Sequence, residues 1–274
     1  MRIKIALLLL AVFIVSCELD DHLFNSKQIN NYKLPGNTIP ESLIEQVTFD
    51  SEGNTLYGFW VKSNGLRPDL SILYCHGNKH SIDEYWDRVM NFFQLGVNVF
   101  IFDYRGYGMS EGKSSEAGLH ADGEAAVNYV LSRNEVSADS LVLYGYSLGN
   151  VVSIQLAAKK LNPLCLFAES PFASANSLTQ SATILDIPSR WLTEGEFDNA
   201  GNIKKVHTPF FLFHGDKDDF VRYRDNGKVV FENAPNPKSF VLIPGAGHSD
   251  IPEIMGVNNY LAEMQKWMDD SINN

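Results

Sequence analysis

Residues Tyr144–Asn150 read YGYSLGN, and they place Ser147 between two glycines at the junction of two contrasting stretches. The apolar run SLVLY (140–144) comes before them, and VVSIQLAAKK (151–160), which has helical spacing, follows. Such a serine serves either a tight turn that needs small residues or a nucleophile raised on a strand-to-helix bend. Because Gly-x-Ser-x-Gly also arises by chance, the rest of the sequence has to decide between them.

Strand-like apolar runs alternate with helical stretches along most of the chain. The first two strands flank the turn sequence SEGN (51–54), which predicts an antiparallel hairpin. A later example is DLSILYC (69–75), which is followed by the helical stretch IDEYWDRVMNFFQLG (82–96). Repeated strand–helix units predict an α/β fold, in which a mostly parallel sheet carries helices on both faces.

Polar and glycine-rich segments follow the predicted strands, at the edge where open α/β sheets bind their ligands. A serine nucleophile needs a base beside it and a further group that orients the base. Asp218 and His248 come after Ser147 in the order acid, then histidine, on the loops that follow the next two major strands. The N-terminus of the helix after Ser147 also directs N–H groups at the same place.

The motifs HGN, DYRGYGMSEG, GYSLG, HGDKDDFV and GAGH together resemble the α/β-hydrolase superfamily. The similarity covers roughly residues 45 to 270 and is greatest to the branch with serine aminopeptidase-like, lysophospholipase-like and depalmitoylase-like hydrolases. The resemblance implies Ser147 as nucleophile, Asp218 as acid and His248 as base. It also implies an oxyanion hole made by the backbone N–H groups of Asn78 and Leu148, with no metal and no organic cofactor.

Three other carboxylates compete with Asp218 for the role of the acid. The family spacing after His-Gly selects Asp218 over Asp216 and Asp219, and we interpret Asp216 as a support of its loop. Glu169 follows another strand and is an alternative acid, although a structural or pocket-lining role is favoured.

Several polar residues at the strand ends are interpreted as structural. His76 is expected to anchor the loop that carries Asn78, and His214 is expected to be a hydrogen-bonded histidine at the start of the acid loop. Asp103 and Arg105 are expected to stabilise the DYRGYG turn.

The N-terminus has the pattern of a secretory signal peptide. Two basic residues in MRIK precede eleven apolar positions, IALLLLAVFIV, too few to span a bilayer. The following Ser16-Cys17 resembles a bacterial lipobox, so Cys17 is the expected lipidation site; an ordinary cleavage near Ser16 is the alternative. The predicted organisation is a signal peptide over 1–16, a tether over 17–40 and a hydrolase domain over 41–274. The predicted location is the bacterial cell envelope, lipid-anchored to a membrane.

The formal net charge of −11 argues against nucleic acid as a partner. Cys75 and Cys165 lie in apolar runs and are expected to be buried free thiols, with a disulfide in an oxidising envelope as the alternative.

The predicted function is that of a serine hydrolase that cleaves a carboxylic ester or thioester on a small-molecule or acyl-chain substrate. A serine aminopeptidase-like peptidase is one alternative, and a non-catalytic ligand-binding lipoprotein on the same scaffold is another. A small cap is predicted between the sixth strand and the acid strand, over residues 170–207. Its apolar residues are expected either to line an acyl pocket or to pack in the core: Ile184, Leu185, Ile187, Trp191 and Leu192.

Overall fold

A computed structural model describes residues 24–159, 161–182 and 195–273 of the chain. The predicted signal peptide, Cys17 and the five apolar cap residues named above lie outside them. Among the helices of the described ranges, none is both long enough and apolar enough to cross a membrane.

The described residues form an eight-stranded sheet in the order β1-β2-β4-β3-β5-β6-β7-β8. The first two strands form the predicted hairpin, and β2 also pairs antiparallel with β4, whereas the other pairs are parallel. The prediction of a mostly parallel sheet with an antiparallel N-terminal hairpin is therefore confirmed. The strands are β1 (Ile44–Ser51), β2 (Asn54–Val61), β3 (Ser71–Cys75), β4 (Asn98–Phe102), β5 (Leu141–Tyr146), β6 (Cys165–Glu169), β7 (Phe210–Gly215) and β8 (Lys238–Ile243).

Helices follow most of the parallel strands and cover both faces of the sheet. The α-helices are α1 (Trp86–Phe93), α2 (Glu116–Leu131), α3 (Gly149–Ala158), α4 (Ala175–Ala182), α5 (Asn199–Asn202), α6 (Gly227–Asn233), α7 (Ile251–Met255) and α8 (Val257–Ile272). Short 3₁₀ helices occupy Glu41–Leu43, Ile82–Tyr85, Ala138–Ser140, Ile203–Lys205 and Tyr223–Asp225. Two helices at the C-terminal end, α7 and α8, are separated at Gly256, where φ is 82°.

Two hydrophobic cores lie on opposite faces of the sheet. In β3, Leu73 belongs to the core that includes Val152 of α3, whereas Ile72 belongs to the core that includes Met264 of α8. Side chains alternate between the faces of a strand, so both faces of β3 are buried. This double burial explains why the central strands read as nearly continuous apolar runs.

Residues 24–40, the N-terminal strap, pack against the domain. Phe24 and Ile39 are buried, and isolated bridges pair Ser26 with His80 and Gln28 with Gly108. The sequence predicts a tether over 17–40 because this stretch is mostly polar. In its described part, a few apolar side chains and the backbone bridges bind it to the sheet's edge loops, so packed structure begins by Phe24 rather than near residue 41.

The described ends of the predicted cap also pack on the domain. Phe197 is buried, and its ring centroid lies 6.0 Å from that of Phe24 and 6.3 Å from that of Phe172. Cys75 and Cys165 are buried free thiols, as expected.

Candidate active site

Ser147 lies on a sharp bend between β5 and α3, and its backbone is in the left-handed region with φ of 50°. The two flanking glycines make that bend sterically feasible. A Cβ on Gly149 would lie 1.9 Å from the carbonyl oxygen of Cys75, and one on Gly145 would lie 2.2 Å from Ser153 Oγ. Small residues are therefore required here because the helix starts in contact with the neighbouring strand.

Hydrogen bonds from the neighbouring strand stabilise the bend. Ser147 N donates to the carbonyl oxygen of Glu169 at 3.0 Å. The buried side chain of Asn150 donates through Nδ2 to the carbonyl oxygens of Ser147, at 3.0 Å, and Glu169, at 2.9 Å. The strained φ of Ser147 is thus maintained by β6 and by the first turn of α3.

The structure brings Ser147, His248 and Asp218 into one hydrogen-bonded chain. His248 Nε2 lies 2.9 Å from Ser147 Oγ, and His248 Nδ1 lies 2.7 Å from Asp218 Oδ2. An ionised carboxylate only accepts hydrogen bonds, so Nδ1 carries the proton and Nε2 is left to accept the serine hydroxyl. This is the tautomer that a base needs in order to deprotonate the serine.

The Asp218 carboxylate is buried and surrounded by donors. Its Oδ1 accepts from Phe220 N at 3.1 Å and Val221 N at 2.7 Å. His214 Nε2 lies 3.4 Å from Oδ2 and donates to the carbonyl oxygen of Val221 at 2.7 Å, in line with the structural role expected for it. Burial alone would raise the pKa of Asp218, but the bonds from His214, His248 and Val221 outweigh it and lower that pKa well below its usual range.

The competing carboxylates lie elsewhere. Asp216 accepts a 2.7 Å hydrogen bond from Gly245 N, so it joins the acid loop to the histidine loop. Asp219 is exposed. Glu169 is fully buried and is bonded to Arg88, Tyr144 and Tyr260.

The two expected oxyanion donors belong to the loops after β3 and β5. Leu148 directly precedes α3, whose first N–H groups have no partner within the helix. Asn78 follows β3 and lines the same cavity as Ser147 and His248. His76 Nδ1 lies 2.7 Å from the Gly77 carbonyl oxygen, so His76 anchors this loop as expected.

The DYRGYG turn is also anchored as expected. The Arg105 guanidinium lies 2.8 Å from Asp122 Oδ1 and 3.2 Å from Glu52 Oε2. Asp103 is fully buried beside His76, at 3.2 Å.

A cavity of about 250 Å³ opens beside Ser147 and His248. Most of its walls are polar or aromatic, and they include Lys79, Glu84, Asp87, Arg88 and Tyr146. Of its charged groups, the Arg88 guanidinium is already paired with the buried Glu169 carboxylate. Within the described ranges, no group of three or more His, Cys, Asp or Glu side chains is arranged to hold a metal ion.

Glu169 has the structural role favoured for it, but its partner Arg88 was not predicted from the sequence. The Arg88 guanidinium is bonded to the Glu169 carboxylate and to Tyr144 Oη at 3.2 Å, and it lies 3.5 Å from the Ser249 carbonyl oxygen, next to His248. Burial would lower the pKa of Arg88, but Glu169 raises it well above its usual value. The sequence did contain one signal of this cluster. Arg88 lies on the apolar face of its helix, where a charged side chain needs a buried partner.

Known proteins resemble this chain in both sequence and fold. Residues 67–176, which include Ser147, match the family described as "Serine aminopeptidase, S33". The uncharacterized protein YfhR of Escherichia coli K12 is 31% identical over 75% of this chain and 74% of its own length. Human alpha/beta hydrolase domain-containing protein 17B is 28% identical over 83% and 76%.

The Pyrococcus furiosus esterase Pf2001 has the same fold, with a TM-score of 0.69 at 20% identity over 90% of this chain and 98% of its own. This likeness covers more of the chain than the family match, which ends at residue 176, before Asp218 and His248. On these grounds the chain belongs to the α/β-hydrolase superfamily, and it is a hydrolase.

Proposed function

We propose that the protein is a serine hydrolase that cleaves a carboxylic ester or thioester through an acyl-enzyme on Ser147. The observation that carries the proposal is the unbroken chain from Ser147 Oγ to His248, at 2.9 Å, and from His248 to Asp218, at 2.7 Å. A non-catalytic ligand-binding protein on the same scaffold has no need of this arrangement, nor of a strained backbone at Ser147.

In the first proposed step, His248 Nε2 takes the Ser147 hydroxyl proton as Oγ attacks the carbonyl carbon. Asp218 stabilises the imidazolium that forms. The N–H groups of Leu148 and Asn78 receive the negative oxygen, and one such donor is worth about 3 kcal/mol of transition-state stabilisation. His248 then protonates the departing alcohol or thiol.

In the second step, water attacks the acyl carbon and releases the acid. His248 deprotonates the water and returns that proton to Ser147 Oγ, so the site is regenerated without an external reactant.

The cavity beside Ser147 supports a short polar group on one side of the scissile bond. Its polar and aromatic walls and its volume of about 250 Å³ favour a short polar arm over a long acyl chain at this position. A panel of esters with glyceryl, ethyl and carboxylate-bearing alcohols tests this directly. Preference for the ethyl ester would contradict it.

An aminopeptidase-like activity is the second candidate, because the carboxylates of Glu84 and Asp87 line the same cavity and could pair with a free amine. Aminoacyl-naphthylamides with a free or an acetylated amine distinguish the two functions. Turnover that requires the free amine and exceeds that of simple esters would favour the peptidase.

Attachment to a membrane through a lipid on Cys17 is part of the same proposal. Six residues separate Cys17 from Phe24, and the seven Cα-to-Cα steps between them reach at most about 25 Å, so the anchor would keep the domain near the bilayer. Replacing Cys17→Ser should move the protein from the membrane fraction to the soluble fraction; unchanged membrane association would contradict it.

The direct test of the hydrolase is Ser147→Ala assayed with p-nitrophenyl acetate. Unmodified protein should release a burst of p-nitrophenol followed by steady turnover, and Ser147→Ala should show neither. The control is Ser132→Ala, an exposed serine at the end of α2, which should behave as the unmodified protein. Equal turnover by Ser147→Ala would contradict the proposal.

A further inference from the structure

The backbone on the Asn78 side of the site is oriented by His76. A carbonyl oxygen only accepts hydrogen bonds, so the 2.7 Å contact from His76 Nδ1 to the Gly77 oxygen requires a proton on Nδ1. That oxygen and the N–H of Asn78 belong to one planar trans peptide and point in opposite directions. Fixing the Gly77 oxygen towards buried His76 therefore directs the Asn78 N–H away from the core, and Asn78 lines the Ser147 cavity.

This peptide needs such a restraint because glycine allows it to rotate. Gly77 has no Cβ, and a Cβ there would meet Tyr85 Oη at 2.9 Å. With glycine, the backbone tolerates either orientation of the peptide, and only one orientation presents a donor to an oxyanion.

His76 in turn contacts Asp103. His76 Nε2 lies 3.2 Å from Asp103 Oδ1, without the geometry of a hydrogen bond, and both side chains are fully buried, so the carboxyl group restricts the position of the imidazole ring by close packing. The same carboxylate accepts from Ile82 N at 3.0 Å through Oδ1 and from Tyr32 Oη at 2.6 Å through Oδ2.

Tyr32 belongs to the N-terminal strap, which runs alongside this loop. His80 N donates to the Asn25 carbonyl oxygen at 3.2 Å, two residues after Asn78. Tyr32 Oη also accepts from Met109 N at 3.3 Å, and its ring packs edge-on against Phe59. The strap thus reaches the oxyanion loop both through its backbone and through one side chain.

We infer that Tyr32, acting through Asp103 and His76, is a positioning residue that keeps the Asn78 N–H directed at the oxyanion. The strap then contributes to the orientation of the oxyanion donor and is more than a linker to the N-terminus. This inference rests on the proposed function, since it concerns the oxygen that becomes negative when Ser147 attacks.

The test compares two strap variants of the full chain, Tyr32→Phe and Gln28→Ala. Tyr32→Phe keeps the ring and removes the hydroxyl that binds Asp103. The control, Gln28→Ala, also removes a strap hydrogen bond, the 2.8 Å contact to the Ser110 carbonyl oxygen, but lies outside the chain to His76. Fluorophosphonate titration first gives the active fraction of each protein, so misfolded material does not enter the rates.

Tyr32→Phe should lower kcat by about three- to tenfold with KM within about twofold, a fraction of what loss of an oxyanion donor costs. The rate constant for fluorophosphonate labelling should fall by the same factor, because the phosphoryl oxygen uses the same donors. Gln28→Ala should leave both unchanged.

A double-mutant cycle provides the second measurement. In His76→Asn, the amide Nδ2 can still donate to the Gly77 oxygen, but the link to Asp103 is lost. Adding Tyr32→Phe to that variant should change kcat by less than about twofold.

Equal kcat and labelling rates in Tyr32→Phe and Gln28→Ala would overturn the inference and leave the proposed function standing. An additive effect of Tyr32→Phe in the His76→Asn variant would also overturn it. Absence of fluorophosphonate labelling on Ser147 of the unmodified protein would overturn both.

Discussion

At the scale of single residues, the surroundings of Asp218 set it apart from the other carboxylates. Two backbone N–H groups orient its Oδ1, and its Oδ2 faces His248. Asp216, two positions earlier, accepts from the backbone of the histidine loop, at Gly245 N.

We expect Asp218→Asn to lower kcat of ester hydrolysis by about a thousandfold or more, because an amide no longer selects the reactive tautomer of His248. Asp216→Asn is the matched control and should cost less than about tenfold, since it weakens one hydrogen bond between loops. Steady-state kinetics on both variants measures this. A larger loss of kcat in Asp216→Asn than in Asp218→Asn would show that Asp218 is not the acid.

The pH dependence of stability should also report on Asp218. Its pKa is lower in the folded than in the unfolded protein, so its stabilising contribution is complete above the ordinary carboxyl pKa of about 4 and is lost as pH falls towards the folded value. The difference in unfolding free energy between the unmodified protein and Asp218→Ala should therefore be larger at about pH 7 than at about pH 3. Urea denaturation at both values measures it; a difference that grows on acidification would contradict the assigned shift.

The roles of residues that lie in a local sequence motif could be predicted. The roles of residues whose partners are distant in the sequence could not. Ser147 is marked by its glycines, and Asp218 and His248 by glycine-rich loops after strands. Arg88 and Tyr32 have partners 81 and 71 positions away, at Glu169 and Asp103, and no short pattern connects such pairs.

At the scale of elements, the site depends on the contact between the start of α3 and the end of β3. The helix begins so close to Cys75 that only glycine fits at position 149. Strand and helix could be predicted here from periodicity, but the distance between them could not, because it is set by the packing of both cores.

Gly149→Ala should lower the free energy of unfolding by about 1–3 kcal/mol or more, because its Cβ would overlap the Cys75 carbonyl. Gly247→Ala is the control, since its Cβ would meet Asp250 only at an ordinary 3.5 Å. Chemical denaturation of both variants measures the difference. Equal stability of the two would show that the backbone relaxes freely at α3.

The N-terminal strap shows where composition is a poor guide to an element. Its polar residues are typical of a linker, but Phe24, Tyr32 and Ile39 supply enough contacts to order it. Their partners lie on later loops, so nothing in the local sequence predicts that this stretch folds back.

At the scale of the whole molecule, the Arg88–Glu169 cluster connects distant parts of the chain. It joins α1 to β6, reaches α8 through Tyr260, and contacts the histidine loop at Ser249. Tyr144 Oη of β5 lies 2.5 Å from Tyr260 Oη within the same cluster.

Removing one charge of this pair should cost more than removing both. Arg88→Met leaves a buried carboxylate without its cation, for which the expected loss is about 3–5 kcal/mol in unfolding free energy. Adding Glu169→Gln to Arg88→Met should restore part of that loss. Thermal and urea denaturation of the single and double variants measures the coupling, and strictly additive losses would contradict it.

The fold class could be predicted for the whole molecule, but the order of its strands could not. Alternating strands and helices indicate a parallel sheet, yet β4 lies between β2 and β3, and this crossover depends on which faces the helices cover. The break between α7 and α8 at Gly256 could not be predicted either, because the residues on both sides have helical spacing.

The central claim is that Ser147 is the nucleophile, and mapping of a covalent adduct tests it most directly. Unmodified protein treated with a fluorophosphonate should carry one adduct, found by peptide mass spectrometry on Ser147, and Ser147→Ala should carry none. An adduct on another residue, or one that persists in Ser147→Ala, would contradict the account.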